Sequence, residues 1–138
     1  MMDNQNTLLK FLIDSCIFID FFADRLSSLE KQNLYTIFEQ GLVSTSVIVC
    51  HEVLFGIQNK KLKSKVLSLF EKIEIIPVTI DISILASEIR KQNKNLGHNL
   101  SLPDSLIAAS AQINNYWVIT NNKKDFSSVK AITLVELK

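Results

Sequence analysis

The chain has 138 residues, with 15 Lys plus Arg against 14 Asp plus Glu, so its formal net charge is +1 with the histidines neutral. With 47% hydrophobic residues and only 3 Gly and 2 Pro, the composition excludes a disordered, collagen-like or low-complexity chain and predicts one compact domain over residues 1–138. The near-zero charge carries no global polyelectrolyte signal, so any nucleic-acid partner has to be argued from local arrangement. Two cysteines, Cys16 and Cys50, are too few for a disulfide framework or a four-ligand zinc site, which predicts a reducing, cytoplasmic setting. Lys10, Asp14 and Asp20 interrupt the apolar run near the start, so no membrane span or signal peptide is expected.

After a polar leader, residues 1–7, the run LLKFLI reads as a buried strand that stops at Asp14. SCIFIDFFADRL reads as a helix, and a second begins at Ser27, where Ser27 and Glu30 have capping-box spacing and Gly41 marks the end. LVST is a second strand, followed by a helix from Val47 to Phe55 with Ser44, Thr45 and Ser46 competing for its cap. A lysine-rich helix over residues 59–70 leads to a third strand, IEIIPV, bounded by Pro77. Ile82, Leu85, Ala86 and Ile89 keep the spacing of an amphipathic helix after Asp81, and SLPDSLIAASAQI reads as a closely packed helix with proline in its first turn. YWVIT and AITLVEL are the fourth and fifth strands, with TNNKKDF a loop between them. Strands alternating with helices predict an α/β fold with a mainly parallel five-stranded sheet and helices on both faces. Its ligand site is expected beyond the carboxyl ends of the strands.

Four features fall at those ends. Asp14 follows the first strand, where it is either a helix cap or a ligand. Glu52 has Ile48, Val49, Phe55 and Gly56 as its helical neighbours three and four residues away, so its carboxylate projects from an apolar stripe and calls for a positive partner or a cation. Asp104 lies three residues after Ser101, in a helix's first turn. Thr120, Asn121, Asn122 and Asp125 follow the fourth strand. Acids gathered at one sheet edge repel one another unless a divalent ion neutralises them, and oxygen-only ligands suit Mg²⁺ or Mn²⁺ rather than zinc. Such a site binds phosphate oxygens and activates water. Setting aside Asp14, Glu52, Asp104 and Asp125 leaves 10 acids against 15 bases for a polyanion to meet. Lys123 and Lys124 stand beside the expected pocket, while the denser cluster of Lys60, Lys61, Lys63 and Lys65 reads as a solvated helix face. Ser15 and Thr120, next to the first and fourth strand ends, complete the candidate substrate contacts. Cys50 adjoins His51, but helical neighbours one apart point about 100° from each other and cannot pair as nucleophile and base. His98 is a loop residue within possible reach of Asp104.

The segments FLIDSCIFID, STSVIVCHEVLFGI, LPDSLIAASA and WVITNNKKDF resemble, in order and over nearly the whole chain, the four signature regions of PIN-domain proteins, in particular the VapC-type toxins of toxin–antitoxin pairs. The resemblance implies a single PIN-like domain and a metal-dependent endoribonuclease that uses Mg²⁺, with Mn²⁺ as substitute, to hydrolyse RNA. It places Asp14, Glu52 and Asp104 on the three acidic ligand positions. The fourth position falls on Asn122, where relatives have Asp, or on Asp125 before Phe126. Cys16 departs from the Asn or Ser usual two positions after the first Asp. The resemblance further implies a homodimer and a small antitoxin, which would cover the apolar surface supplied by Phe18, Phe21, Phe22 and Phe38. The alternative prompted by Asn122 and Cys16 is a catalytically impaired PIN-like module that binds RNA or protein. A receiver domain or a haloacid-dehalogenase-like phosphatase is disfavoured, because the first wants an acid ending the third strand, where Val78 and Thr79 stand, and the second an Asp at position 16.

Overall fold

A computed structural model describes residues 9–138, so the polar leader and Leu8 lie outside the described residues. Five strands, β1 (Phe11–Ile13), β2 (Val43–Ser46), β3 (Glu74–Ile76), β4 (Trp117–Ile119) and β5 (Leu134–Val135), form one sheet in the order β3-β2-β1-β4-β5. Every pairing is parallel. The chain therefore builds outward from β1 to β3 on one side and then crosses to lay β4 and β5 on the other. The switch point, where ligands bind in open α/β sheets, lies between the carboxyl ends of β1 and β4. Asp14 N–H donates to the Ile119 carbonyl at 3.0 Å, which fixes these two strand ends against each other.

Among the described residues, seven helices connect and cover the sheet: α1 (Ser15–Phe22), α2 (Ser28–Glu39), α3 (Val47–Phe55), α4 (Lys60–Phe70), α5 (Ile80–Asn95), α6 (Leu102–Asn114) and α7 (Lys123–Phe126). Their starts follow the local chemistry. Ser27 and Glu30 form a reciprocal capping box. Asn59 caps α4, Thr79 caps α5, and Ser101 caps α6 with Pro103 in the first turn. Of the three residues that could have capped α3, Ser46 does so. Ser44 and Thr45 are buried in β2 instead and donate their hydroxyls to the Phe11 and Ile13 carbonyls at 3.2 and 2.7 Å. Gly41, at φ +71°, turns the chain out of α2 in the left-handed region that favours glycine.

Four expected elements differ. The helix read through SCIFIDFFADRL stops at Phe22, because Asp24 takes a left-handed φ of +57° and cannot continue it. The strands read as LLKFLI and AITLVEL are held in the sheet over three and two residues. TNNKKDF is not all loop, since residues 123–126 close one helical turn.

The core joins Leu12 and Ile13 of β1 and Val118 of β4 to Ile17, Val49, Val66 and Ile107 from the helices. α6 is buried without interruption from Ser105 to Ala111 because its small residues, Ala108, Ala109, Ser110 and Ala111, let it pack closely, most extensively against α5. No helix among the described residues is long and apolar enough to cross a membrane. Phe18 is 1% exposed and meets Phe70 edge to face with ring centroids 5.7 Å apart. Phe18→Ala is expected to cost about 3–5 kcal/mol of unfolding free energy, measured by urea denaturation; a loss below about 1 kcal/mol would show that the ring is not core.

Candidate metal centre

Asp14 is the buried anchor of the site, 5% exposed. It serves as the α1 cap through Oδ1, which accepts the Ser15 N–H at 2.8 Å. Its other oxygen, Oδ2, accepts the hydroxyl of Thr120 at 2.8 Å. Thr120 is fully buried just beyond β4, and its oxygen also accepts the Asn122 N–H at 2.9 Å. The Cys16 sulfur lies 3.7 Å from Asp14 Oδ2 and 3.6 Å from Thr120 Oγ1, and accepts the Asn121 N–H at 3.5 Å. Capping and ligation are thus compatible roles for Asp14, since each carboxylate oxygen has more than one acceptor position.

Glu52 projects half-buried from α3, which packs on α1. Burial pushes its carboxyl above the usual range; a hydrogen bond from Ser15 opposes this, and the charge of Asp14 adds to it. Asp104, half-buried in the first turn of α6, is pushed up to about 6. Burial is the main cause, opposed by the Ser101 hydroxyl and reinforced by the charges of Asp14, Asp125 and Glu52. All four acids therefore act on one locus at the switch point. No lysine or arginine among the described residues pairs with Asp14, Glu52 or Asp104, so the positive partner expected for Glu52 is not a basic side chain. No three His, Cys, Asp or Glu side chains among the described residues form a group that could hold one ion as placed. The donor set is three carboxylates with hydroxyl and amide neighbours, and this fits a hard divalent cation.

The remaining candidates divide. Asp125 and Lys124 line, with Asp104, Ser101 and His98, a cleft of about 530 Å³. Asp125 is one of the three acids whose charge Asp104 feels, whereas exposed Asn122 contributes its backbone N–H to Thr120. Lys123 reaches Glu136 at 3.7 Å instead of lining the cleft. Thr120, expected as a substrate contact, is fully buried with its hydroxyl on Asp14, and so positions the carboxylate instead of meeting substrate. Ser15 lies between Asp14 and Glu52. Cys16, the departure two positions after Asp14, has its sulfur in the site beside Asp14, Thr120 and Asn121.

The aromatic surface is narrower than expected. Phe18 is a buried floor and not a contact surface. Half-buried Phe21 and Phe38, with exposed Tyr35, line a small apolar groove of about 130 Å³ above it, while Phe22 sits outside the groove, edge-on to Phe21.

An acid whose folded pKa exceeds its unfolded value near 3.8 binds more protons folded than unfolded between the two values, so it lowers stability as pH rises from about 4 to about 6. Asp104→Asn removes that penalty. In a chelator, it is expected to raise the melting temperature at pH 7.5, with the gain shrinking toward pH 4; a variant less stable than the parent at pH 7.5 would contradict the crowding of charges.

Residues 11–132 match the PIN domain. The chain is 34% identical over 126 residues to Ribonuclease VapC1 of Methanocaldococcus jannaschii, covering 91% of this chain and 85% of the relative. Among solved structures, a toxin-antitoxin complex from Klebsiella pneumoniae superposes with a TM-score of 0.74 at 27% identity, covering 94% of this chain and 98% of the other. VapBC2 from Rickettsia felis, bound to a DNA fragment from its promoter, superposes with a TM-score of 0.80 at 23% identity, over 93% and 98% of the two chains. With its order of strands, its acids at the switch point and this match over most of its length, the chain belongs to the PIN domain family.

Proposed function

We propose that this protein is a metal-dependent endoribonuclease, hydrolysing RNA phosphodiester bonds with Mg²⁺, or Mn²⁺ in its place, as the toxin of a toxin–antitoxin pair. The observation that carries the reading is the crowding of Asp14, Glu52, Asp104 and Asp125 with no basic side chain paired to the first three. The likeness to Ribonuclease VapC1 supports RNA as the substrate.

Asp14, Glu52 and Asp104 would hold the ion, with Asp125 or Asn122 as the fourth position. The bound ion supplies charge for the attacked phosphate and lowers the pKa of a coordinated water. The protein's own contribution is placement. Ser15 N–H and the Thr120 hydroxyl hold the Asp14 carboxylate at both oxygens, so it cannot rotate away. Ser15 steadies Glu52, and Ser101 steadies Asp104. Lys124 on the cleft wall meets a phosphate oxygen, and Asp125 on the same wall is an exposed carboxylate for the water's proton. The raised pKa of Asp104 makes ion binding and protonation compete, so binding strengthens as pH rises through about 6.

The Phe21, Tyr35 and Phe38 groove is the proposed seat of an apolar segment of the antitoxin, and the toxin is proposed to pair with itself in the cytoplasm. The likeness to the toxin-antitoxin complex from Klebsiella pneumoniae supports this partner class. Phe38→Glu is expected to weaken toxin–antitoxin binding at least tenfold by calorimetry; unchanged affinity would remove the groove from the interface.

Asp14→Asn and Asp104→Asn are each expected to lower RNA cleavage by about a hundredfold or more, with calorimetric Mn²⁺ binding lost in parallel and the fold retained. Undiminished cleavage by both variants would refute the assignment. Absence of Mn²⁺ binding to the parent at millimolar metal would instead favour the impaired binding module.

A further inference from the structure

The cleft at Asp104 does not end at its wall. His98, Asn99 and Leu100 line it on one side and line a second cleft, of about 600 Å³, on the other. The far wall of that second cleft is one face of α5, where Ser87, Arg90, Lys91 and Lys94 recur at the spacing of neighbouring helical turns. The opposite face of α5 is buried through Ile82, Ala86, Ile89 and Asn93. Glu88 looks into a different cleft beside Lys130. The three cations of this face are exposed, and among the described residues none pairs with a carboxylate.

The path between the two clefts is built rather than loose. α5 ends in a Schellman arrangement, with Gly97 N–H on the Lys94 carbonyl at 3.1 Å and His98 N–H on the Asn93 carbonyl at 2.8 Å. Gly97 adopts φ +83°, which glycine takes without strain. Arg90 Nε donates to the Leu100 carbonyl at 3.3 Å, tying the basic face to the residue just before the α6 cap. From Ser101 it is one helical turn to Asp104. The lysines of α4 have no such connection: Lys60 and Lys63 line a separate depression with Glu71 that shares no residue with either cleft.

Resting on the ribonuclease reading, we propose that the α5 face of Arg90, Lys91 and Lys94 binds the phosphate backbone of single-stranded RNA away from the scissile bond, the strand crossing residues 98–100 from the Asp104 cleft. The acids at the switch point repel a polyanion, and this face supplies the compensating attraction at a distance. A short oligonucleotide occupies the first cleft alone, while a longer one reaches both. Phosphate contacts of this kind are independent of base sequence and weaken with salt.

The test is steady-state cleavage of a tetranucleotide and of an unstructured 20-nucleotide RNA in Mg²⁺ by the full chain and by Lys91→Glu/Lys94→Glu. Both lysines are exposed, so thermal unfolding serves as the folding check. The double variant is expected to raise KM for the long RNA about tenfold with kcat unchanged, and to leave the tetranucleotide unaffected. Anisotropy titration with oligouridylate is expected to show a salt dependence shallower by about 1.4 in the log–log slope, from two lost phosphate contacts. Lys60→Glu/Lys63→Glu is expected to match the parent in both assays. An unchanged KM and salt slope in the Lys91→Glu/Lys94→Glu protein, with the parent active, would overturn the proposal and leave the ribonuclease reading standing. Loss of binding to an acidic peptide with RNA kinetics unchanged would reassign the face to a protein partner and equally overturn it. A parent that cleaves neither RNA would overturn the ribonuclease reading and this proposal together.

Discussion

Like charges brought together at the point where the sheet changes direction are the constraint around which the rest of this structure is arranged. Asp14 is nearly inaccessible to water, Glu52 and Asp104 are half-buried, and the ionised form of the latter two is disfavoured first by burial and then by their neighbours. A protein that only needed to fold would place alanine or asparagine there at lower cost. Retaining the acids is understandable if the folded chain binds a cation, because the same repulsion that destabilises the metal-free state becomes attraction to the ion.

The scaffold keeps these acids from escaping one another. β1 and β4 are hydrogen-bonded neighbours although 106 residues separate Leu12 from its partner Val118, and Thr120 reaches Asp14 across that junction. α3 and α6 present their acids from helices anchored by small or β-branched residues, Val49 and Val53 on one and Ala108 and Ala109 on the other. Precision at the site is thus a consequence of core packing, since moving α6 outward would separate Asp104 from Asp14. The basic face of α5 rides on the same element pair, because α5 and α6 share the most extensive helix contact in the fold.

Much of this was legible in the residues. Period and capping chemistry located the helices because caps such as Ser27 with Glu30 are local, and the parallel α/β topology followed from alternation of elements. The three acids stood out because each interrupts an apolar pattern at a strand end or a helix start. What the residues did not reveal depends on long-range placement. The thiol of Cys16 belongs to the site only because β4 delivers Thr120 and Asn121 beside it. Phe18 and Phe21 look alike in sequence, yet one lies under Phe70 and the other opens on the groove. Lys123 and Lys124 are adjacent, but the single turn of α7 sends one to Glu136 and the other to the cleft. The cations of α5 drew no attention because a charged stripe on an amphipathic helix is ordinary; the turn at Gly97 makes them contiguous with the acids.

The most direct measurement is a crystal structure of the protein equilibrated with millimolar Mn²⁺, using anomalous scattering to locate the ion. The account predicts density between Asp14, Glu52 and Asp104, at oxygen distances of about 2.0–2.3 Å, with Asp125 or Asn122 approaching it directly or through water. Manganese bound elsewhere, or three acids that remain apart without it, would contradict the claim that a divalent cation is what makes their proximity tolerable.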